Sequence, residues 1–456
     1  MRIAADRQGS LSFYQSSPSY KQEWEMISTI LDAKAEVVEL VLADLSMGKD
    51  GKPKKRTGAN GITAEQVLRL AIVKHKEDLA YRELRDRVDD SIVLRAFCRM
   101  QHGPVPAFTT LQENIKRIRP ETWKAVSQAI VGYALEREIE NGQCVRVDTT
   151  AVQSNIHHPT DSHQLWDCVR VLTRILRFIE EDLPRLRGRF HDHQRAAKRL
   201  FYRIHNTRGQ DNKKPLYRKL INITERVTAY AQTACEELVL ERCDTFEESL
   251  VAADYRAQIN QFLPLAHKVV DQTRRRVLKG EDVPADEKIL SIFEPHTDII
   301  KKGQREIIYG HKVLLTTGKS NLILDCVIER GNPSDAGQFI PSIERHQQVF
   351  GHVPAQVATD AGFASKANAR AALDQGVKDV AFVGPKHKTL PELIKGTRAY
   401  KKLAKWRAGI EGIISATKRA FGLDCCTWSS FESFQAYVQL AVLAFNLQTL
   451  ARHLLR

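Results

Sequence analysis

The chain has 456 residues, 43% of them hydrophobic and 27% charged, a composition that excludes a disordered chain and is sufficient for two or three folded domains. Its 69 Lys and Arg residues outnumber its 55 Asp and Glu residues, and the net charge of +14 favours a polyanionic partner such as nucleic acid. The eight cysteines form no C-x-x-C pair and no segment reaches the roughly 18 apolar residues of a membrane span, so we expect a cytosolic protein with reduced thiols, no zinc site and no membrane partner.

The N-terminal region predicts one helix and a basic linker, which we assign together to residues 1–61. Apolar residues at helical spacing predict the helix from about Lys21 to Leu45. Residues 46–61 are rich in glycine and predict a mobile loop. Its cations are Lys49, Lys52, Lys54, Lys55 and Arg56. They could clamp phosphates, although a solvated linker is the commoner explanation for such a run.

Residues 62–140 predict a helical domain of short helices. Thr63 and Gln66 have the spacing of a capping box at the start of the first helix. Further helices are predicted over Tyr81–Arg87, Ile92–Phe97, Thr110–Ile118 (with Thr110 as the cap) and Glu121–Glu138. Short helices that carry many arginines are typical of a helix-turn-helix-like DNA-binding domain. The alternative is a plain helical cap whose arginines are solvated.

The remaining residues, 141–456, predict a catalytic domain that opens with the β-prone run Cys144–Thr150, which contains Asp148. A long helical insertion is predicted after this strand, over 160–285. Its basic tracts are Arg185, Arg187, Arg189, Lys213, Lys214, Arg218, Lys219, Arg274, Arg275 and Arg276. They suggest a bundle with one positive face, and an ordinary solvated bundle is the alternative.

From residue 305 the pattern alternates between strands and helices. Strands are predicted over Ile307–Thr317, Leu322–Arg330, His352–Asp360 and Asp379–Gly384, and helices over Asp335–Phe350 (capped by Asp335), Ser365–Gln375, around Glu411, and Phe434–Leu450. With the first strand included, the order β-β-β-α-β-α-β is that of a mixed α/β domain.

Three acidic residues occupy positions suited to metal binding. Asp148 and Asp360 follow apolar strands, and Glu411 lies on a helical stretch that continues to Lys418. If the strands are neighbours and the helix packs across them, the three carboxylates supply the hard oxygen ligands that Mg²⁺ or Mn²⁺ prefers. Two such ions can support in-line displacement at a phosphodiester. We therefore predict that Asp148, Asp360 and Glu411 hold two divalent cations.

Two cations flank Glu411 at helical spacing. Arg407 precedes it by four residues and Lys418 follows it by seven, which places all three within one face of a helix. Arg can grip a phosphate with two hydrogen bonds and Lys can act as a point charge, so both are predicted to contact DNA phosphates. The same spacing also arises by chance as ordinary ion pairing on surface helices.

These segments resemble those of the DDE transposases of bacterial insertion sequences, in particular the ISNCY-like group. The resemblance rests on Val147–Thr150 followed by Asn155–Ser162, on Ala358–Phe363, and on the Arg-x3-Glu-x6-Lys block from Arg407 to Lys418; residues 62–120 are similar to the helical N-terminal domain of such enzymes. The related Tyr-x2-Arg pattern expects a tyrosine where Ala404 stands.

The resemblance implies an RNase-H-like mixed sheet that binds the element's terminal inverted repeats, hydrolyses a phosphodiester and transfers the strand to target DNA. It also implies two Mg²⁺ ions, which Mn²⁺ can replace, with Asp148 bridging both, and a homodimer on double-stranded DNA in the bacterial cytoplasm, associated with the nucleoid. Two alternatives remain at this stage: an RNase-H-like nuclease that cuts without joining, and a catalytically silent DNA-binding protein derived from a transposase.

Overall fold

The structure is a computed structural model that describes residues 18–48, 61–100, 103–185, 190–239, 242–302, 306–384 and 398–456. The predicted basic loop cations, Lys49 to Arg56, lie outside the described residues, as do Arg187 and Arg189. The chain forms two compact units. The first contains residues 1–155 and 310–456, and the second contains residues 156–309.

Seven helices precede the sheet of the first unit. They are α1 (Pro18–Ala33), α2 (Glu36–Ser46), α3 (Ala64–Lys76), α4 (Tyr81–Asp90), α5 (Ile92–Phe97), α6 (Phe108–Ile115) and α7 (Pro120–Glu136) among the described residues. The capping box is confirmed, because Gln66 N donates to Thr63 Oγ1 and Thr63 N donates to Gln66 Oε1. Thr110 is not a cap, since α6 begins two residues earlier.

The single helix predicted from Lys21 to Leu45 is wrong. The chain turns at Lys34 and Ala35, and α1 packs on α5 while α2 packs on α3 and α7. Lys34 holds this turn against α7 through an ion pair of 2.6 Å with Glu136. Helical spacing of apolar residues continues through the turn, so the sequence pattern alone does not reveal that the two halves face different neighbours.

The mixed sheet of the first unit follows. Its strands are β1 (Cys144–Ser154), β3 (Glu306–Thr317), β4 (Ile323–Ile328), β5 (Gln356–Asp360), β6 (Asp379–Val383) and the short β7 (Cys425–Cys426). β1 pairs antiparallel with β3 and parallel with β5, β3 pairs antiparallel with β4, and β5 pairs parallel with β6. The predicted hairpin and the β-β-β-α-β-α-β order are confirmed, and so is the RNase-H-like mixed α/β class with a helical N-terminal region. β7, which pairs parallel with the end of β1, was not predicted because it has only two residues.

The helices of the C-terminal part cover the sheet. They are α12 (Asp335–Phe350), α13 (Lys366–Asp374), α14 (Arg398–Arg407), α15 (Gly409–Ala420) and α16 (Phe431–Leu454). α16 is buried along most of its length and contacts α1, α3 and α7 on one side and β4 on another. One hydrophobic core therefore joins the N-terminal helices to the sheet. Burial on several sides explains why the sequence of α16 is almost continuously apolar.

The second unit is a helical bundle with its own hydrophobic core. Its helices are α8 (Asp161–Asp182), α9 (Gln194–Asn206), α10 (Gln210–Glu237) and α11 (Phe246–Thr273), followed by a π-helical turn (Arg274–Lys279) and a strand, β2 (Asp298–Lys302). The unit extends past the predicted insertion 160–285, because Ile289 and Ile292 belong to its core. None of the described helices combines the length and the apolar composition that crossing a membrane requires.

Candidate active site

Asp148 and Asp360 lie side by side at one edge of the sheet. β1 and β5 are parallel, and their register pairs Val147 with Thr359, so the next residue of each strand is an aspartate. Asp148 is only 7% exposed. Asp360 is half-buried, and its Oδ1 accepts a hydrogen bond of 2.9 Å from Gly362 N, which begins the turn after β5. The two carboxylates lie at neighbouring register positions as predicted, and Asp360 ends β5, but the prediction that Asp148 ends its strand is wrong, because β1 continues from Asp148 to Ser154.

A buried arginine fixes the segment that carries Arg407 and Glu411. Arg146 of β1 is 2% exposed; it donates to the backbone oxygen of Trp406 at 2.8 Å, and its guanidinium lies over the Trp406 ring. A Cβ atom on Gly409 would lie 2.3 Å from Arg146 Nη1, so glycine is required at this close approach. The predicted single helix from Arg407 to Lys418 is interrupted here: α14 ends at Arg407 and α15 begins at Gly409.

Arg407 connects two of the three predicted metal ligands. Its Nη2 donates to Asp148 Oδ2 at 2.7 Å and its Nη1 donates to Glu411 Oε1 at 2.9 Å. The Arg407 and Asp148 side chains are 15% and 10% exposed, whereas that of Glu411 is 66% exposed. The guanidinium therefore acts as the counter-ion of a mostly buried carboxylate, and it links Glu411 to Asp148 in the middle of β1.

The carboxyl of Asp148 has an elevated pKa. Burial raises it from the ordinary value to about 6, Arg407 opposes this rise, and the negative charges of Asp360 and Glu411 add to it. Its Oδ1 also accepts a hydrogen bond of 2.8 Å from Thr149 N, which favours the ionised form. Three acids from different elements thus influence one another electrostatically, which is the situation that a bound cation would relieve.

Lys418 lies away from this cluster. Its Nζ donates to the backbone oxygen of Ala151 at 2.8 Å and is 3.6 Å from Asp424 Oδ1. It therefore reaches β1 three residues beyond Asp148. The Lys418 side chain is 19% exposed. Of the five residues predicted for the site, the structure brings together Asp148, Asp360, Glu411 and Arg407, and places Lys418 farther along the same strand.

A fourth carboxylate, Asp335, was not predicted to belong to this site. Its Oδ1 accepts hydrogen bonds from Lys312 Nζ at 3.1 Å and from Thr149 Oγ1 at 3.3 Å. A Cβ atom on Gly362 would lie 3.0 Å from both Asp335 Oδ2 and Asp360 Oδ1, so the two carboxylates face the same glycine. The sequence suggested that Asp335 caps α12, but Ser334 occupies the cap position and Asp335 is the first helical residue. No local pattern indicates that the start of α12 lies beside Thr149 of β1 and the end of β5.

The donor set suits a hard divalent cation, because carboxylate oxygens are the ligands that Mg²⁺ and Mn²⁺ prefer. Burial and, to a lesser extent, the charges of Asp360 and Glu411 raise the pKa of Asp148, and a positive charge at this position offsets both effects. Arg407 supplies that charge in the structure, and among the described residues no group of three His, Cys, Asp or Glu side chains has the arrangement of a metal site. The chemistry of the residues fits a metal: Asp148, Asp360 and Glu411 would hold it, and it would take over from Arg407 the role of counter-ion to Asp148.

Two families match the chain. Residues 12–117 match the family described as Transposase domain (DUF772), and residues 279–447 match the family described as Transposase DDE domain. The second match includes Asp360, Arg407, Glu411 and Lys418, whereas Asp148 lies between the two matched regions. No curated protein and no solved structure matches the chain. Both families are described as transposase domains, so the chain carries the domains of a DDE transposase.

Proposed function

We propose that this transposase belongs to a bacterial insertion sequence of the ISNCY-like group and that it performs both cleavage and joining. It binds the terminal inverted repeats of the element, hydrolyses a phosphodiester bond to free a 3′-OH, and directs that hydroxyl to a phosphodiester of target DNA. Two ends must be held together for joining, so we expect a homodimer in the complex with double-stranded DNA, at the nucleoid of the bacterial cytoplasm.

Asp148, Asp360 and Glu411 are the proposed ligands of two Mg²⁺ ions, which Mn²⁺ can replace, with Asp148 shared by both. The ions would supply an activated nucleophile and stabilise the charge that develops on the phosphate. Arg407 and Lys418 are the proposed phosphate contacts. Once its carboxylates turn away, the planar guanidinium of Arg407 is available to grip a phosphate with two hydrogen bonds, and Lys418 adds a point charge.

The observation that supports this proposal most is the register of β1 and β5. It sets Asp148 of β1 beside Asp360 at the end of the adjacent parallel strand β5, and the Arg407 bridge of 2.7 and 2.9 Å adds Glu411 from a third element. Three carboxylates that are far apart in sequence, from Asp148 to Glu411, converge where a basic side chain also lies, which is the combination that phosphodiester chemistry needs.

The proposal is tested by Mg²⁺-dependent cleavage of DNA that carries the element's end. Asp148→Asn, Asp360→Asn and Glu411→Gln are each expected to reduce the rate by orders of magnitude, since the two ions share one transition state. Asp325→Asn is the matched control: Asp325 is a carboxylate of the same sheet that pairs with Arg345 at 2.7 Å, apart from the cluster. Rates near that of the wild type in the three variants would exclude the proposed site.

A strand-transfer assay with pre-cleaved ends separates the remaining alternatives. Joining by the wild type supports the transposase proposal. Cleavage without joining would indicate a nuclease, and tight DNA binding with neither reaction would indicate a catalytically silent DNA-binding protein.

A further inference from the structure

Helix α9 of the second unit carries a basic face with no acidic residue. Its buried side chains, Ala197, Leu200 and Ile204, belong to the core of the unit, and the helix packs on α8 and α10. The opposite face is exposed and contains four cations, Arg195, Lys198, Arg199 and Arg203. Lys198, Arg199 and Arg203 follow Arg195 by three, four and eight residues, so the cations share one side of the helix.

The four cations of the α9 face have no partner within the described parts of the chain. None of them makes an ion pair or a side-chain hydrogen bond there. The nearest carboxylates in sequence are used elsewhere: Asp192 pairs with Arg177, and Asp211 pairs with Lys214. An unpaired cation keeps its full charge available for an external anion, whereas a paired one contributes little to the surrounding potential.

The basic tracts that the sequence singled out in the same unit are mostly neutralised. Their ion pairs are Arg274 with Glu225 at 2.5 Å, Arg275 with Glu287 at 2.7 Å, Arg276 with Asp161 at 3.0 Å, and Arg185 with Asp244. Several arginines of the predicted helix-turn-helix-like region are paired as well, for example Arg95 with Asp89 and Arg119 with Asp44. The α9 face therefore differs from these paired arginine tracts by its lack of partners among the described residues, a property that it shares with Lys213, Arg218 and Lys219 of α10.

The size and chemistry of the α9 face suit the backbone of DNA. Arg195 and Arg203 are eight residues apart, which corresponds to about 12 Å along the helix axis, similar to the width of the major groove of B-DNA. Tyr202 lies between Arg199 and Arg203 on the exposed side and is 53% exposed. Arginine, lysine and tyrosine side chains are among the groups that contact DNA phosphates.

We propose that the α9 face (Arg195, Lys198, Arg199, Tyr202 and Arg203) binds the phosphate backbone of double-stranded DNA. This proposal rests on the proposed function of the chain as an enzyme that acts on DNA. α9 lies outside both matched transposase regions, so the family matches do not assign this role. Because the contacts go to phosphates, binding through this face does not depend on the base sequence.

The test compares two double variants of the full-length protein. Arg199→Gln/Arg203→Gln alters the α9 face, and Arg256→Gln/Lys268→Gln alters two exposed cations of α11 that also lack partners among the described residues, so both variants lose the same charge. Binding of a labelled duplex of arbitrary sequence is measured by fluorescence anisotropy at several KCl concentrations. All four positions are exposed, and glutamine is well tolerated in helices, so both variants should fold. Circular dichroism verifies this.

We expect the negative slope of log affinity against log salt concentration to be shallower by about 1.8 in the α9 variant than in the wild type. Each phosphate contact that is lost removes about 0.9 from the steepness of the slope. Its affinity should fall by one to two orders of magnitude near 0.1 M salt, as follows from the same slope, and the α11 variant should remain close to the wild type. In the wild type, duplex DNA should protect Lys198 from acetylation but not Lys268.

Equal losses in the two variants, together with unprotected Lys198, would overturn the proposal while leaving the proposed function intact, and the α9 face would then suit an acidic protein instead. If the wild type itself shows no salt-dependent binding to duplex DNA, the proposed function fails together with the α9 proposal. The two failures are therefore distinguishable in one set of titrations.

Discussion

Single residues decide how charge is balanced around Asp148 of β1. Asp148 is nearly buried, and its neighbours Asp360 and Glu411 add further negative charge. Arg407 offsets this charge through two hydrogen bonds. A divalent cation bound by the same carboxylates would serve the same electrostatic purpose, so Arg407 and the metal are alternative counter-ions for Asp148.

Replacement of Arg407 by methionine should therefore have opposite consequences without and with metal. In EDTA the variant should lose about 3–5 kcal/mol of unfolding free energy, because a mostly buried carboxylate is left without its partner. Saturating Mg²⁺ should restore most of this loss, and the increase in melting temperature on adding Mg²⁺ should be larger than in the wild type. Differential scanning calorimetry measures both quantities.

Arg345→Met is the control for this prediction. Arg345 pairs with Asp325 at 2.7 Å, and these side chains are 23% and 9% exposed, similar to the Arg407 and Asp148 pair. Its loss should also destabilise the protein, but Mg²⁺ should not restore the stability. Equal responses of the two variants to Mg²⁺ would show that Arg407 and the metal do not share a ligand.

Metal binding at Asp148 should weaken in acid. The pKa of this carboxyl is raised to about 6 by burial, so below that pH the group is mostly protonated and cannot act as a ligand. We expect the affinity for Mn²⁺ to be constant above about pH 7 and to fall about tenfold per unit below pH 6, since one proton competes with the ion. Calorimetric titrations across this range measure the trend. Asp148→Asn should abolish binding, and a profile without an inflection near pH 6 would contradict the assignment.

The residue pattern predicted part of this site and missed another part. An aspartate that follows an apolar strand is visible in sequence, which is why Asp148 and Asp360 were selected. Asp335 and Lys312 were not selected, because their proximity depends on how α12 and β3 pack against the ends of two other strands. Arg407 was selected as a phosphate contact, but its pairing with Asp148 across 259 residues has no local signature.

At the scale of elements, the position of Glu411 depends on the junction between α14 and α15. Arg146 reaches from β1 to the backbone of Trp406, and Gly409 allows its guanidinium to approach the helix. Glu411 lies in the first turn of α15. The junction therefore fixes the position of Glu411 relative to the sheet.

Two glycines of α15 test this role. Gly409→Ala would place a Cβ atom 2.3 Å from Arg146 Nη1, so we expect a loss of about 1–3 kcal/mol and a strong decrease in DNA cleavage as Glu411 shifts. Gly412 has no heavy atom within 4 Å of the corresponding position, so Gly412→Ala should stabilise the helix by up to about 1 kcal/mol and leave cleavage unchanged. Urea denaturation and the cleavage assay measure the two effects. If the two variants behave alike, the junction between α14 and α15 does not position Glu411.

The elements themselves were predicted where local periodicity is sufficient. The strands β1, β3, β4, β5 and β6, the hairpin of β3 and β4, and α12 from Asp335 to Phe350 follow from alternating and helical patterns, whereas the five-residue β2 was not predicted. The breaks between α1 and α2 and between α14 and α15 were missed. Neither contains a proline, and both exist because the two helices contact different partners, which is tertiary information.

At the scale of the whole molecule, the two units have separate hydrophobic cores. The core of the first unit contains no residue from 156–309, and the core of the second is formed entirely within that range. The ends of the second unit could not be set from sequence, because the helical pattern stops near 285 while Ile289 and Ile292 still pack into its core. Separate cores predict that each unit can fold without the other.

Excision of the second unit tests this independence. Gln153 of β1 is paired with Gly310 of β3 in antiparallel register, so replacement of residues 155–308 by an Asn-Gly turn converts the two strands into a simple hairpin. We expect the shortened protein to fold cooperatively and to keep calorimetric Mn²⁺ binding that Asp148→Asn abolishes, because Asp148, Asp360 and Glu411 all belong to the first unit. Its affinity for duplex DNA should fall at least as far as that of the Arg199→Gln/Arg203→Gln variant, since the whole α9 face is absent. A shortened protein that fails to fold would show that the units depend on each other, and one that keeps full DNA affinity would place the main DNA contacts in the first unit.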